Sequence, residues 1–119
     1  MMRSFDHVLL SMPAGRESEA RAFYAGVLGM VEIDKPAALA ARGGAWFEQG
    51  GIVLHLGVEE PFVPARKAHP AIVVDDLESL RVILEAAGHP CTRSDGERPG
   101  VSRVHCFDVF GNRLEFQQV

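Results

Sequence analysis

The chain has 119 residues, of which 47% are apolar, 24% charged and 8% aromatic, and its net charge is -4. This composition is typical of one globular domain that is large enough to fold around its own core without a disulfide or a structural metal. The acidic balance and the lack of a Lys/Arg cluster argue against a nucleic-acid partner and against binding to a membrane surface.

Cysteine usage and the N-terminal segment predict a cytoplasmic protein. The two cysteines, Cys91 and Cys106, are interpreted as reduced thiols. Arg3 and Asp6 stand where a signal peptide needs an unbroken apolar run. No apolar stretch approaches the ~20 residues that are needed to span a bilayer.

The first half of the chain predicts one strand, one helix and three further strands. Residues 5 to 12 are mostly apolar and run into a Pro/Gly turn, which indicates a strand. The apolar spacing between residues 17 and 28 predicts a helix that ends at Gly29 in a left-handed conformation. The remaining predicted elements are a short strand at 30–33, an Ala-rich segment at 37–41 that is one helical turn or loop, and strands at 45–49 and 52–58 around a Gly50-Gly51 hairpin turn.

The second half repeats this order after a linker. Residues 59–68 contain two prolines and no helical or strand period. The helix of this half starts at a capping-box-like Asp75-Asp76-Leu77-Glu78 and ends at Gly88. The predicted strands are 69–74, 90–93, 102–108 and 113–118, with Gly111-Asn112 as the last turn. We therefore predict an α+β fold with module 1 at about 1–58, the linker at about 59–68 and module 2 at about 69–119.

Four side chains at matching repeat positions, one on each of four predicted strands, are predicted to lie on corresponding faces. Each lies on the face opposite the more apolar face of its strand, because strand side chains alternate between faces. If the helices cover the apolar faces, two sheets that curve toward each other would gather the four side chains into one cleft. They are His7, His55, His69 and Glu115. Imidazole and carboxylate together suit Zn, Ni, Fe(II), Mn or Co, and the chain has no close thiolate pair of the kind that structural zinc sites use.

Five sequence motifs carry a resemblance to a known family. The motifs are Asp6-His7-Val8, Phe23-Tyr24-Ala25-Gly26-Val27-Leu28-Gly29, Leu54-His55-Leu56, Ala68-His69 and Phe107-Asp108-Val109-Phe110-Gly111-Asn112-Arg113-Leu114-Glu115-Phe116. With them the sequence resembles the vicinal oxygen chelate superfamily, which includes glyoxalase I, extradiol dioxygenases, fosfomycin-resistance enzymes and bleomycin-binding proteins.

The resemblance implies a fold, a metal site and an assembly. The fold is a pair of tandem βαβββ modules that form a curved, cup-like mixed sheet with helices on its outer face, often in a homodimer. The metal is a divalent ion that chelates two neighbouring substrate oxygens. Its implied ligands are His7, His69 and Glu115, with His55 as a further ligand at a position where family members often have Glu.

Two function classes follow from this sequence. The first is a metal-dependent lyase, isomerase or dioxygenase that acts on a small molecule with vicinal oxygens. The alternative is a metal-free protein that sequesters a small molecule or an antibiotic, as the bleomycin-binding relatives do. Glu115 and Glu48 are the candidate catalytic residues, with Glu48 either a proton-transferring base or a solvated turn carboxylate. His105 is either a solvent-facing strand residue or a part of the cleft, and Arg103 either anchors an anionic substrate or is an outer-face charge.

Overall fold

A computed structural model describes residues 1–119 of the chain. The chain forms two compact units, Met1–Val63 and Pro64–Val119, and the boundary between them falls inside the segment 59–68 that the sequence indicates as a linker. Both units combine one mixed four-stranded sheet with helical segments, so the predicted α+β class of two modules is confirmed.

The first unit begins with a strand whose partner lies far along the chain. Its sheet has the order β1-β4-β3-β2, in which β1 is parallel to β4 and the other neighbours are antiparallel. The elements are β1 (Val8–Met12), α1 (Glu17–Arg21) with a π-helical continuation (Ala22–Val27), β2 (Val31–Ile33), α2 (Ala37–Ala40), β3 (Ala45–Gln49) and β4 (Ile52–Val58).

The second unit has the same connectivity. Its sheet has the order β5-β8-β7-β6, and again the first strand is parallel to the last while the other pairs are antiparallel. The elements are β5 (Ala71–Val73), α3 (Leu77–Ala86), β6 (Thr92–Arg93), β7 (Ser102–Phe107) and β8 (Arg113–Gln118). The internal duplication that the sequence predicts is thus a duplication of topology.

Each unit buries an apolar core on one face of its sheet. In the first unit Tyr24 is fully buried and stacks on Phe47 of β3, with ring centroids 5.4 Å apart. In the second unit Leu77 and Leu84 of α3 are buried, together with Leu114 of β8. The opposite faces carry exposed or polar side chains, and it is these faces that hold the candidate functional residues.

Four strands begin later than predicted, and at β1 and β5 the difference concerns a histidine. β2 begins at Val31 rather than at residue 30, and β6 begins at Thr92 rather than at residue 90. β5 begins at Ala71 rather than at residue 69, because Pro70 has no N–H to donate to a sheet. β1 begins at Val8 rather than at residue 5, and Phe5 is 90% exposed, so no burial holds the first residues against β4. His7 therefore lies immediately before β1, and His69 is separated from β5 by Pro70, so neither histidine is within its strand.

The two helices that the sequence predicts differ in detail from the prediction. The first is α-helical only to Arg21 and then widens into the π-helical segment, where the N–H of Leu28 donates to the carbonyl of Phe23 at 3.0 Å. The N-cap of α3 is Asp76, which accepts from the N–H of Ser79 at 3.0 Å. None of the helices has the length and apolar character needed to cross a membrane.

Candidate metal centre

Glu115 lies at the centre of the sheet of the second unit. It is on β8, which pairs with β5 on one side and with β7 on the other. The register places Ala71 and His105 directly opposite Glu115 on these two neighbours. Directly opposite residues on neighbouring strands point to the same face, so His105 and Glu115 share the face that does not carry the core.

His69 reaches the same place from the segment before β5. The carbonyl of Pro70 accepts from the N–H of Glu115 at 3.1 Å, which ties this segment to β8. The ring of His69 then lies with Nε2 2.9 Å from Oε1 of Glu115. Its Nδ1–H donates to the carbonyl of Lys67 at 2.6 Å, so the ring is oriented with Nε2 toward the carboxylate.

These contacts bring three donor atoms together. His105 Nε2 is 3.0 Å from Oε1 of Glu115, the same oxygen that His69 contacts. One possible ligand atom from each of His69, His105 and Glu115 lies within 4.8 Å of the others. The side chains are 22%, 12% and 4% exposed, respectively, so solvent reaches the imidazoles but hardly the carboxylate. Two imidazoles and a carboxylate with access from one side fit a borderline divalent cation.

Neighbouring side chains hold the second oxygen of Glu115. Gln117 Nε2 donates to Oε2 at 2.5 Å, and Arg103 Nη1 lies 3.6 Å from the same oxygen. Burial opposes ionisation of this carboxyl, but the bonds from Gln117 and His69 and the nearby charges outweigh it and lower its pKa to about 2. Glu115 is thus an anion whose Oε1 faces the imidazoles while Oε2 is held.

His105 is the residue of this cluster that the sequence leaves undecided. Burial, followed by the charge of Arg113, lowers its pKa, so the ring is neutral at neutral pH, as a metal ligand must be. Arg103, considered above as a substrate anchor, contacts Glu115 and also donates to Glu97 and to the carbonyl of Ser94. Its position supports an orienting role toward Glu115.

The other two predicted ligands lie in the first unit. His55 of β4 is buried, and its ring stacks between two others. The centroid of His7 is 3.9 Å away on one side, and that of Trp46 is 3.8 Å away on the other, with interplanar angles of 14° and 2°. Burial and the nearby His7 lower the pKa of His55, and His7 Nδ1 lies 2.9 Å from the Asp6 carboxylate. The structure thus groups His7 with His55, and His69 with Glu115.

Glu48, the predicted base, is exposed on β3. It pairs with Val53 of β4, two residues before the pairing of Trp46 with His55. Alternation along the strand therefore places Glu48 on the same face of the first sheet as Trp46 and His55. Its part in proton transfer stays a prediction.

Several solved structures have the same fold as this chain. The chain is 43% identical to a putative glyoxalase family protein from Bacillus anthracis, with a TM-score of 0.93 over 99% of this chain and 96% of that one. A glyoxalase/dioxygenase from Nostoc punctiforme is 21% identical, with a TM-score of 0.78 over 98% and 90% of the two chains. The fosfomycin resistance protein FosX from Listeria monocytogenes shares the fold at 11% identity, with a TM-score of 0.77 over 100% and 95%.

The repeated modules and these similarities define the class as a two-module protein of the glyoxalase fold. The sequence profile of the Glyoxalase/Bleomycin resistance protein/Dioxygenase superfamily matches residues 4–116. The chain therefore belongs to this superfamily, as the resemblance of its motifs predicts. No curated protein is similar enough in sequence to be matched with it.

Proposed function

We propose that this protein is a metal-dependent enzyme of lyase, isomerase or dioxygenase type that acts on a small molecule with two neighbouring oxygens. The observation that carries the proposal is the convergence of His69, His105 and Glu115 on one accessible face of the second unit. Membership of a superfamily that includes glyoxalases and dioxygenases supports it. The substrate itself stays open.

The proposed ligands are His69 Nε2, His105 Nε2 and Glu115 Oε1, and the cation is Zn, Ni, Fe, Mn or Co. His7, which the family resemblance implies as a ligand beside His69 and Glu115, and His55, the implied further ligand, are retained as predictions. Of these five residues, His105 is the one that the geometry adds to the predicted set. The donor types favour a borderline metal over Mg or Ca, which prefer sites made of oxygen ligands.

The chain's own residues would orient this centre. A bound divalent cation would act as a Lewis acid that polarises a substrate carbonyl or hydroxyl. The carbonyl of Lys67 fixes the ring of His69, and Gln117 and Arg103 hold the Glu115 oxygen that does not face the imidazoles. Hydrogen bonds from surrounding residues to metal ligands set the orientation of the ligands and the affinity for the metal. Glu48 is the predicted base that would remove or move a proton.

Thermal unfolding in the presence of divalent cations tests the metal site. A divalent cation that binds only the folded protein is expected, at a concentration of 100 times its Kd, to raise the free energy of unfolding by about 2.7 kcal/mol. The His69→Ala variant is expected to lose this stabilisation, because it lacks one of three donors. His89→Ala is the matched control, since His89 lies outside the donor cluster and its ring bonds a backbone carbonyl. If none of the five candidate metals stabilises the wild type, the proposed metal site is wrong.

A second candidate function is metal-free sequestration of a small molecule. The aromatic stack of Trp46, His55 and His7 favours it, because this stack lines a pocket of about 680 Å³ in the first unit. A pocket of this size can enclose a drug-sized ligand. Ligand binding that persists unchanged after chelation of all metal, with no metal-dependent turnover, would favour this alternative.

We expect a homodimer that works in the cytoplasm with a small-molecule partner. Both sheets are open, and apolar side chains are exposed on the faces opposite the cores. Leu9 and Val73 are each 58% exposed and Phe107 is 52% exposed. Covering such surface stabilises an assembly. Analytical ultracentrifugation is expected to give twice the chain mass of 13.0 kDa, and a monomer at micromolar concentration would contradict the expectation.

A further inference from the structure

The pocket of the first unit has two cationic side chains, Lys35 and Arg42, that the proposed functions leave unused. It lies between the face of the first sheet that carries His55 and the segment around α2, which contributes Leu39, Arg42 and Gly43. Its lining combines apolar side chains with aromatic rings and two cationic side chains. This combination suggests which kind of ligand the pocket accepts.

The aromatic part of the lining is a stack with an open end. His55 is buried between Trp46 and His7, and the ring spacings of 3.8 and 3.9 Å are those of aromatic rings in contact. The stack ends at His7, whose side chain is 38% exposed. A flat aromatic ring can extend such a stack with favourable offset geometry, whereas a puckered ring cannot.

The charged part of the lining has an excess of positive charge. Lys35 is half-buried and donates to the carbonyl of Gly43, which leaves its other N–H donors available. Arg42 is exposed at the pocket and takes part in none of the ion pairs of the structure. The one carboxylate of the lining, Asp6, lies against His7 Nδ1 at 2.9 Å. In a chain with a net charge of -4, two cations at one pocket favour an anionic ligand.

We propose that this pocket binds a small planar aromatic carboxylate, with its ring extending the stack at His7 and its carboxylate paired with Arg42 and Lys35. The planar fork of an arginine is suited to a carboxylate, and the lysine adds a second charge. The inference concerns binding of this ligand to the first unit alone, and it does not depend on the proposed metal site. The binding step itself needs no metal.

Titration of chelator-treated full-length protein with naphthoate tests the proposal. Trp46 is the single tryptophan of the chain, so a change in tryptophan fluorescence locates the binding at this pocket. Calorimetry supplies the affinity. Naphthoate is expected to bind at least about tenfold more tightly than neutral naphthamide, because a hydrogen bond to a charged group contributes about 1.5–3 kcal/mol. It is also expected to bind more tightly than the non-aromatic decalin carboxylate, which cannot stack.

Variants separate the charge contribution from folding. Arg42→Gln is expected to weaken naphthoate binding about tenfold and to leave naphthamide binding unchanged. Lys35→Gln is expected to act in the same direction. Arg98→Gln, in the second unit and exposed, is the matched control and is expected to bind like the wild type.

The outcomes distinguish this inference from the proposed function. Equal affinities for naphthoate and naphthamide, or an Arg42→Gln variant that binds naphthoate like the wild type, would overturn the inference. If the wild type binds a divalent cation but no naphthoate, the inference fails and the proposed metal site stands. If it binds naphthoate as described but no cation, the inference stands and the sequestering function is favoured.

Discussion

Replacing Glu115 with Gln is expected to weaken binding of a divalent cation by at least about 100-fold. Loss of an outer-shell partner alone costs about 10–100-fold in metal affinity, and here a charged ligand itself is removed. The substitution keeps the size of the side chain but removes the negative charge that both imidazoles contact. Calorimetric titration with Zn or Co measures the effect.

Glu59→Gln is the control for this experiment. Glu59 is exposed and its side chain lies outside the donor cluster, so the same charge change there is expected to leave the Kd unaltered. Circular dichroism establishes that both variants are folded. A Glu115→Gln variant that binds metal as tightly as the wild type would remove Glu115 from the ligand set.

Replacing Gly44 with Ala is expected to lower the free energy of unfolding by more than about 3 kcal/mol. Gly44 has a φ of +86°, in a region that costs an L-residue about 1–2 kcal/mol. A Cβ at this position would also lie 2.1 Å from the backbone oxygen of Leu56, so β3 and β4 would have to move apart. Urea denaturation of the variant and the wild type measures the difference.

Gly15→Ala separates the two contributions to this loss. Gly15 has a comparable φ of +78°, but no atom lies within 4 Å of the position that a Cβ would take. This variant is therefore expected to lose only the conformational part, about 1–2 kcal/mol. Equal losses for the two variants would show that the contact with Leu56 does not limit the fold.

The repeated topology is the part of the fold that the sequence predicts best. The order strand, helix and three strands can be recognised because Gly29 and Gly88 end the helices and Gly50-Gly51 forms a hairpin turn, all with positive φ. Those positions depend on local backbone chemistry, which a sequence expresses directly. The π-helical segment after Arg21 has no such local signal, because its residues have ordinary helical spacing.

The sequence predicts His69 and Glu115 in one cleft from their repeat positions, and the two are in contact although His69 precedes β5 rather than lying in it. The contribution of His105 depends on the register of β7 on β8, which local sequence patterns do not determine. A Gly111-Asn112 turn alone does not predict the loop that is present. Buried Asp108 accepts from the N–H groups of Phe110 and Asn112 at 2.8 Å, and this five-residue loop sets His105 opposite Glu115.

The sequence patterns also do not predict the stack of His7, His55 and Trp46. Parity places these side chains on one face, but it gives neither ring orientation nor spacing. The register that sets His55 between Leu9 and Trp46 follows from a parallel pair of β1 with β4, two strands that are far apart in the chain. Non-local pairings of this kind have no short-range sequence signal.

A crystal structure of the cation-loaded protein, with anomalous scattering measured at the edge of the metal, tests the central claim most directly. We predict one strong anomalous peak at about 2.0–2.2 Å from Nε2 of His69, Nε2 of His105 and an oxygen of Glu115. A peak bound by other residues, or the absence of a peak at these three in protein that carries one cation per chain, would contradict the account.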